Sequence, residues 1–248
     1  KHIFFFIIYL FFFNHSVSND ISNFEDYKKT NINFKLQQVI KNKLDFPWGM
    51  TFLDKNTLLI TEKNGKILKV NLITNEINEI DHSIPNIKYH GNGQGGLLDI
   101  YANDDNYVYF TYSHSFKEKT ISVNNRILSS TAIARGKIID NKLMDFEILL
   151  IAKPKLKINK HWGARIVIKD NLLFVGFGER DEGMIAQNPQ KHPGSIIRIH
   201  TDGSIPKDNP AFRGFEEWLP EIYQIGLRNP QGMALSPYDD EIYFSQHG

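Results

Sequence analysis

The 248-residue sequence predicts an all-β propeller of four-stranded antiparallel blades, on three observations. Beyond residue 18 no segment sustains a helical period. Short apolar runs bounded by Asp, Asn, Gly and Pro return along the whole chain. Four of these runs share one order: a Gly-rich opening, an apolar strand, a polar turn, and a second strand rich in aromatic and β-branched residues. The first copy goes from Gly49-Met50-Thr51-Phe52-Leu53 through Asp54-Lys55-Asn56 to Thr57-Leu58-Leu59-Ile60-Thr61. The second goes from Gly96-Leu97-Leu98-Asp99-Ile100 to Tyr107-Val108-Tyr109-Phe110-Thr111, and the third from Arg165-Ile166-Val167-Ile168 to Leu172-Leu173-Phe174-Val175. The fourth pairs Gly232-Met233-Ala234-Leu235 with Glu241-Ile242-Tyr243-Phe244. Third strands are expected at Lys66 to Val70, Ile133 to Ile139 and Ser195 to Ile199. With Gly49, Gly96, Arg165 and Gly232 as the common register, the copies lie 47, 69 and 67 residues apart, a spacing that suits blades with insertions. Radial repetition covers sheet faces that one blade cannot bury alone. A sandwich is the rival architecture.

Composition narrows the function. Twenty-nine basic residues against 28 acidic ones leave a formal charge of +1, so no long-range field gathers a nucleic acid or holds the chain on an acidic membrane. Cysteine is absent, which excludes disulfides, thiolate nucleophiles and thiolate metal sites. Lys1 and His2 precede an unbroken apolar run from Ile3 to Phe13 and small residues around Ser16-Val17-Ser18, the pattern of a secretory signal peptide. That run is shorter than the roughly 20 residues a membrane span needs. The expected organisation is a signal peptide over 1–18, a mature N-terminal segment over 19–40, and an incomplete propeller over 41–248, in a periplasmic or secreted protein with no stable membrane span after cleavage. The start at Lys1 and the stop at Gly248 suggest a fragment, ending after about four blades.

The segment just before each first strand is where a propeller chain reaches the mouth of its axial channel. Four residues back from the common register stand Asp45, Asn92, His161 and Arg228, with Gln94, Asn229 and Gln231 beside them. A base, a cation and several amides would thus converge on one mouth and orient a polar ligand. Singly, each of these residues serves as well to hold a tight turn.

The motifs Leu44-Asp45-Phe46-Pro47-Trp48-Gly49, Gly93-Gln94-Gly95-Gly96-Leu97-Leu98, His161-Trp162-Gly163-Ala164-Arg165, Asp202-Gly203-Ser204-Ile205-Pro206-Lys207-Asp208-Asn209-Pro210 and Arg228-Asn229-Pro230-Gln231-Gly232 follow in order. Together they resemble the pyrroloquinoline quinone-dependent glucose and sorbosone dehydrogenases, and, with short blade insertions, the soluble aldose sugar dehydrogenase branch more than the classical glucose dehydrogenases. The resemblance implies a six-bladed propeller with the quinone over the channel mouth, calcium at its edge, an aldose sugar as substrate, oxidation at the anomeric carbon to a lactone, and a respiratory or artificial electron acceptor. It implies that His161 is the catalytic base, a role for which imidazole is suited near neutral pH. It implies that Arg228 stabilises charge on the quinone oxygen, that Gln94, Arg228, Asn229 and Gln231 line the cofactor pocket, and that Glu179 orients His161. A partner for Arg180 is the other reading of Glu179. Trp162 offers a stacking face or, more ordinarily, an apolar filler between blades.

The family pattern continues through Glu-His-Gly-Pro into a calcium loop and two further blades. Here Gln246 stands in the place of that Glu, and Gly248 matches one carbonyl ligand of the calcium site, far short of the 6 to 8 oxygens calcium takes. Two other functions compete: a non-catalytic propeller that binds a protein or glycan, and a calcium-dependent propeller lactonase. The first has no need of His161 and Arg228 together. The second needs acidic ligands on the channel, for which Asp45 and Glu179 are a thin supply. Gly91-Asn92-Gly93-Gln94-Gly95-Gly96 matches a dinucleotide fingerprint in glycine count alone, without a βαβ context.

Overall fold

The computed structural model describes residues 38–40, 44–89, 91, 93–115, 122–123 and 126–248. Residues Val39–Gly248 form one compact unit. The expected signal peptide and Asn92 lie outside the described residues. Three four-stranded antiparallel sheets and a two-stranded one follow in chain order. The first consists of β1 (Pro47–Asp54), β2 (Thr57–Glu62), β3 (Ile67–Asn71) and β4 (Ile77–Glu79). The second contains β5 (Leu97–Ala102), β6 (Val108–Ser115), β9 (Ser129–Ile139) and β10 (Lys142–Ile151), with the minor hairpin β7 (Ser122–Val123) and β8 (Arg126–Ile127) between β6 and β9. The third runs β11 (Gly163–Lys169), β12 (Leu172–Phe177), β13 (Ser195–His200) and β14 (Ile222–Ile225); β15 (Pro230–Leu235) and β16 (Ile242–Gln246) form the last pair. Two short 3₁₀ turns, Gly183–Gln187 and Pro210–Phe212, are the helical elements among the described residues. Among these residues no helix is long and apolar enough to cross a membrane.

This is the propeller the repeat predicts, with three complete blades and the first half of a fourth. Successive first strands pack on each other, β1 on β5, β5 on β11 and β11 on β15. Two-residue periodicity explains why strands buried on both faces are needed. Along β6, Phe110 and Tyr112 enter the core shared with the first blade, beside Leu59, Ile67, Leu97 and Ile100. Tyr109, pointing the opposite way, enters the core shared with the third blade, beside Ile133, Ile166, Val175 and Phe177.

The strand register corrects one alignment. Every first strand carries an irregularity near its start, between Pro47 and Met50, Leu97 and Ile100, Gly163 and Ile166, and Pro230 and Gly232. Matching these bulges makes Gly49, Asp99, Arg165 and Gly232 equivalent, so Gly96 is not the counterpart of Gly49. Four residues back in the second blade is therefore Gly95, next to Gln94, rather than Asn92. Threonines on the second strands confirm the match. Thr61 accepts from the Gly49 N–H and donates to the Leu98 carbonyl of the next blade; Thr111 accepts from the Asp99 N–H and donates to the Ala164 carbonyl.

Candidate active site

All the chemistry-bearing segments lie at one end of the sheets: Gln94 before β5, His161 before β11, Glu179 after β12, and Asn229 before β15. A cavity of about 330 Å³ there is lined by Trp48, Lys63, Gln94, His161, Trp162, Asn229, Gln231 and His247. His161 is buried, and its Nδ1 lies 2.5 Å from Glu179 Oε1. A carboxylate only accepts, so Nδ1 carries a proton, and in the neutral imidazole the lone pair is then on Nε2. The other carboxylate oxygen of Glu179 accepts from the Gly183 N–H at 2.8 Å, and the Glu179 N–H donates to the Arg228 carbonyl at 2.8 Å, which fixes the acid in turn. Asp181 Oδ1 is 4.0 Å from His161 Nδ1. Its ligand atom clusters with those of His161 and Glu179, but Glu179 is already engaged on both oxygens.

Backbone geometry here is unusual. His161 and Ala164 have positive φ values of 50° and 82° on either side of Trp162 and Gly163. Such conformations are uncommon for residues with a side chain and cluster at functional sites. The bonds that hold them come from the expected amides. Gln94 Oε1 accepts the His161 N–H at 2.7 Å, and Asn229 Oδ1 accepts the Gly163 N–H at 3.1 Å and Gln231 Nε2 at 2.9 Å. These contacts orient each amide, turning Gln94 Nε2, Asn229 Nδ2 and Gln231 Oε1 to other partners. Gly178 must be glycine, because a Cβ there would come within 2.0 Å of the His161 carbonyl oxygen.

The remaining expected residues separate. Arg228 is exposed and absent from the cavity lining; its Nη1 donates to the His247 carbonyl at 2.8 Å and contacts His247 Nδ1 at 3.0 Å. Asp45 is turned toward the β2–β3 turn of its own blade, where its N–H donates to Glu62 Oε1 and its Oδ2 accepts from Asn64 Nδ2 at 3.1 Å. Gly248 packs against the Arg228 side chain. Arg180 does not pair with Glu179: its guanidinium stacks 3.4 Å from the ring centre of Trp162. Trp162 is buried with Leu98, Ala164 and Trp48, so it fills between blades while one edge meets the cavity. Lys63, which sequence reasoning missed, brings a cation to the lining and donates to the Gly93 carbonyl at 2.7 Å. A signal existed: Glu62-Lys63 and Glu179-Arg180 are acidic-basic pairs at the ends of the second strands of two blades.

Fold and site thus define a β-propeller whose histidine–carboxylate couple opens onto a cavity where the first strands begin. The model of the glucose/sorbosone dehydrogenase family matches residues 44–248, and the chain belongs to that family. It is similar to the aldose sugar dehydrogenase YliI of Escherichia coli, 32% identical over 215 residues that cover 85% of this chain and 56% of that protein. It is also similar to quinoprotein glucose dehydrogenase B of Acinetobacter calcoaceticus, 30% identical over 87% of this chain and 48% of that one. Among solved structures, the apo-form of the soluble aldose sugar dehydrogenase from Escherichia coli superposes with a TM-score of 0.75 at 30% identity, covering 85% of this chain and 60% of that chain. The chain spans about half the length of the curated relatives it matches.

Proposed function

We propose that this chain carries the base-bearing part of an exported oxidoreductase that oxidises aldose sugars at the anomeric carbon to lactones, with pyrroloquinoline quinone as hydride acceptor. The observation that carries the reading is the buried couple of His161 and Glu179, which leaves Nε2 as a proton acceptor beside the cavity. Nε2 takes the proton of the anomeric hydroxyl, Glu179 keeps the ring in the required tautomer, and the imidazolium so formed is stabilised by the adjacent carboxylate.

A planar cofactor with several carboxylates needs a flat apolar wall, N–H donors and a cation. Trp48 and Trp162 supply the wall, Gln94 and Asn229 the donors, and Lys63 the cation. Bound there, the quinone supplies a two-electron acceptor for the hydride. Arg228 is assigned the role of a second cation at the rim. Calcium is a different case: Gly248 lies against a guanidinium, and the described residues around it do not make an oxygen cage. The lactonase reading lacks its acids as well, because Asp45 is held by Asn64 of the β2–β3 turn and Glu179 serves His161. Export rests on residues 1–18 and the electron acceptor on the family resemblance.

The test is dye reduction. With added quinone and an aldose the protein should reduce an artificial electron acceptor, and nicotinamide cofactors should make no difference. Reduction at the same rate without quinone would overturn the reading.

A further inference from the structure

We propose that Arg180 is a positioning residue that holds the backbone of His161, as Glu179 holds its ring; this rests on the reading of His161 as base. The two neighbours diverge from one turn after β12. Glu179 reaches the imidazole, while Arg180 passes beneath the loop that delivers it and is 2% exposed. Its Nε donates to the Lys160 carbonyl at 3.1 Å, its Nη2 to the Ile158 carbonyl, and its Nη1 to the Ser129 carbonyl at 3.3 Å. Its plane covers Trp162, the residue that follows His161. One side chain therefore grips the chain on both sides of the histidine and ties it to the second blade.

The chemistry requires arginine. A planar fork donates to several carbonyls at fixed angles and stacks on an indole at the same time, which an ammonium does not do. Burial of a cation is unfavourable, and desolvation pushes Arg180 down to about 9. Apolar residues would fill this space at less cost, so what the guanidinium adds is the set of carbonyl bonds. Those bonds act where the backbone is strained: without them, His161 can relax from its φ of 50°, which swings the Cα–Cβ bond and takes Nε2 away from the cavity.

The experiment is NMR on histidine-¹⁵N-labelled protein without cofactor, comparing wild type with Arg180→Met and Arg180→Lys. Wild type should show a slowly exchanging Nδ1–H for His161. His192 in the same blade is the internal control, because its Nε2 lies 2.6 Å from Glu221 Oε1 and its Nδ1 accepts the Lys153 N–H. In Arg180→Met the His161 signal should be lost or averaged between tautomers while the His192 signal persists, and Arg180→Lys should fall between. With quinone and aldose, kcat should drop at least tenfold at unchanged KM. An unchanged His161 signal in folded Arg180→Met overturns the proposal. So does unfolding of both variants, which would make Arg180 a structural residue. Loss of the base reading would instead appear as full turnover in a His161 variant, so the two failures are distinct.

Discussion

His161 occupies backbone space that residues with a side chain rarely enter, and four groups hold it there: Gln94 at its N–H, Arg180 at the preceding carbonyl, Glu179 at its ring, and Asn229 at the peptide beyond Trp162. Preorganisation of this kind is expected of a group that must meet a proton at one place. His161→Ala should therefore lower kcat by about 10² to 10⁴-fold with quinone binding retained, as followed by quenching of tryptophan fluorescence. Glu179→Gln keeps an oxygen for Nδ1–H but loses the charge that stabilises the imidazolium, and a drop of about 10 to 100-fold is expected. Equal turnover in His161→Ala and wild type would return the histidine to a turn-stabilising role. The sequence exposed His161, Gln94 and Asn229 because each precedes a first strand. It did not show that two of the amides serve the histidine, because hydrogen bonds between blades have no sequence period. Arg228 likewise reads as a site cation, yet its rotamer is set by His247, a contact no local pattern encodes.

At the scale of the strand, the blades are joined by polar ties as well as by apolar cores. Asp99 on β5 is buried; its Oδ1 accepts from Arg165 Nη1 at 2.9 Å and its Oδ2 from the Ile166 N–H at 2.8 Å, both on β11. Gly49 on β1 closes over the same carboxylate, where a Cβ would come within 2.7 Å of Oδ1. Arg165 then stacks 4.6 Å from the ring centre of Trp48, much as Arg180 stacks on Trp162. Removing one partner of a buried, hydrogen-bonded pair leaves the other unsatisfied. Asp99→Ala should accordingly cost about 3 kcal/mol in urea unfolding, and Asp99→Asn less, because an amide oxygen can still accept one of the two bonds. Equal stability of all three proteins would show that the tie carries nothing. This strand also shows where sequence reading stopped. Alternating apolar residues disclose the strands, but in sequence Gly96 aligns with Gly49 because both are glycines. Gly96 is in fact a turn residue with φ of 148° pressed on the Lys63 carbonyl, whereas Gly49 is a strand residue pressed on Asp99. The bulge at the start of each first strand moves the register, and a bulge has no residue signature of its own.

For the molecule as a whole, a net charge near zero means that pH acts through particular buried groups rather than through general repulsion. Lys88 is 5% exposed, its Nζ donates to the Ile127 carbonyl and to Ser129 Oγ, and burial, helped by Arg180, pushes it down to about 8 from an ordinary 10.5. Between those two values the unfolded chain holds a proton that the folded chain has released, so the free energy of unfolding climbs with pH. Tyr109 and Tyr112 act in the opposite sense. Burial raises both well above their ordinary 10.0, with Asp105 adding to the effect at Tyr109. Above pH 10 the unfolded chain loses phenolic protons that the folded chain keeps, and stability falls. Arg180, depressed by burial in the same way, adds to the rise above about pH 9, so the urea midpoint should climb from about pH 8 to about pH 10 and level off as the tyrosines begin to oppose it. Lys88→Met removes the group that acts first and leaves Arg180 and the tyrosines in place, so its midpoint should be flat from pH 8 to about pH 9, where wild type already climbs. If wild type and Lys88→Met follow parallel curves from pH 8 to 9, the buried ammonium is not the source of that rise and another group must bind the proton.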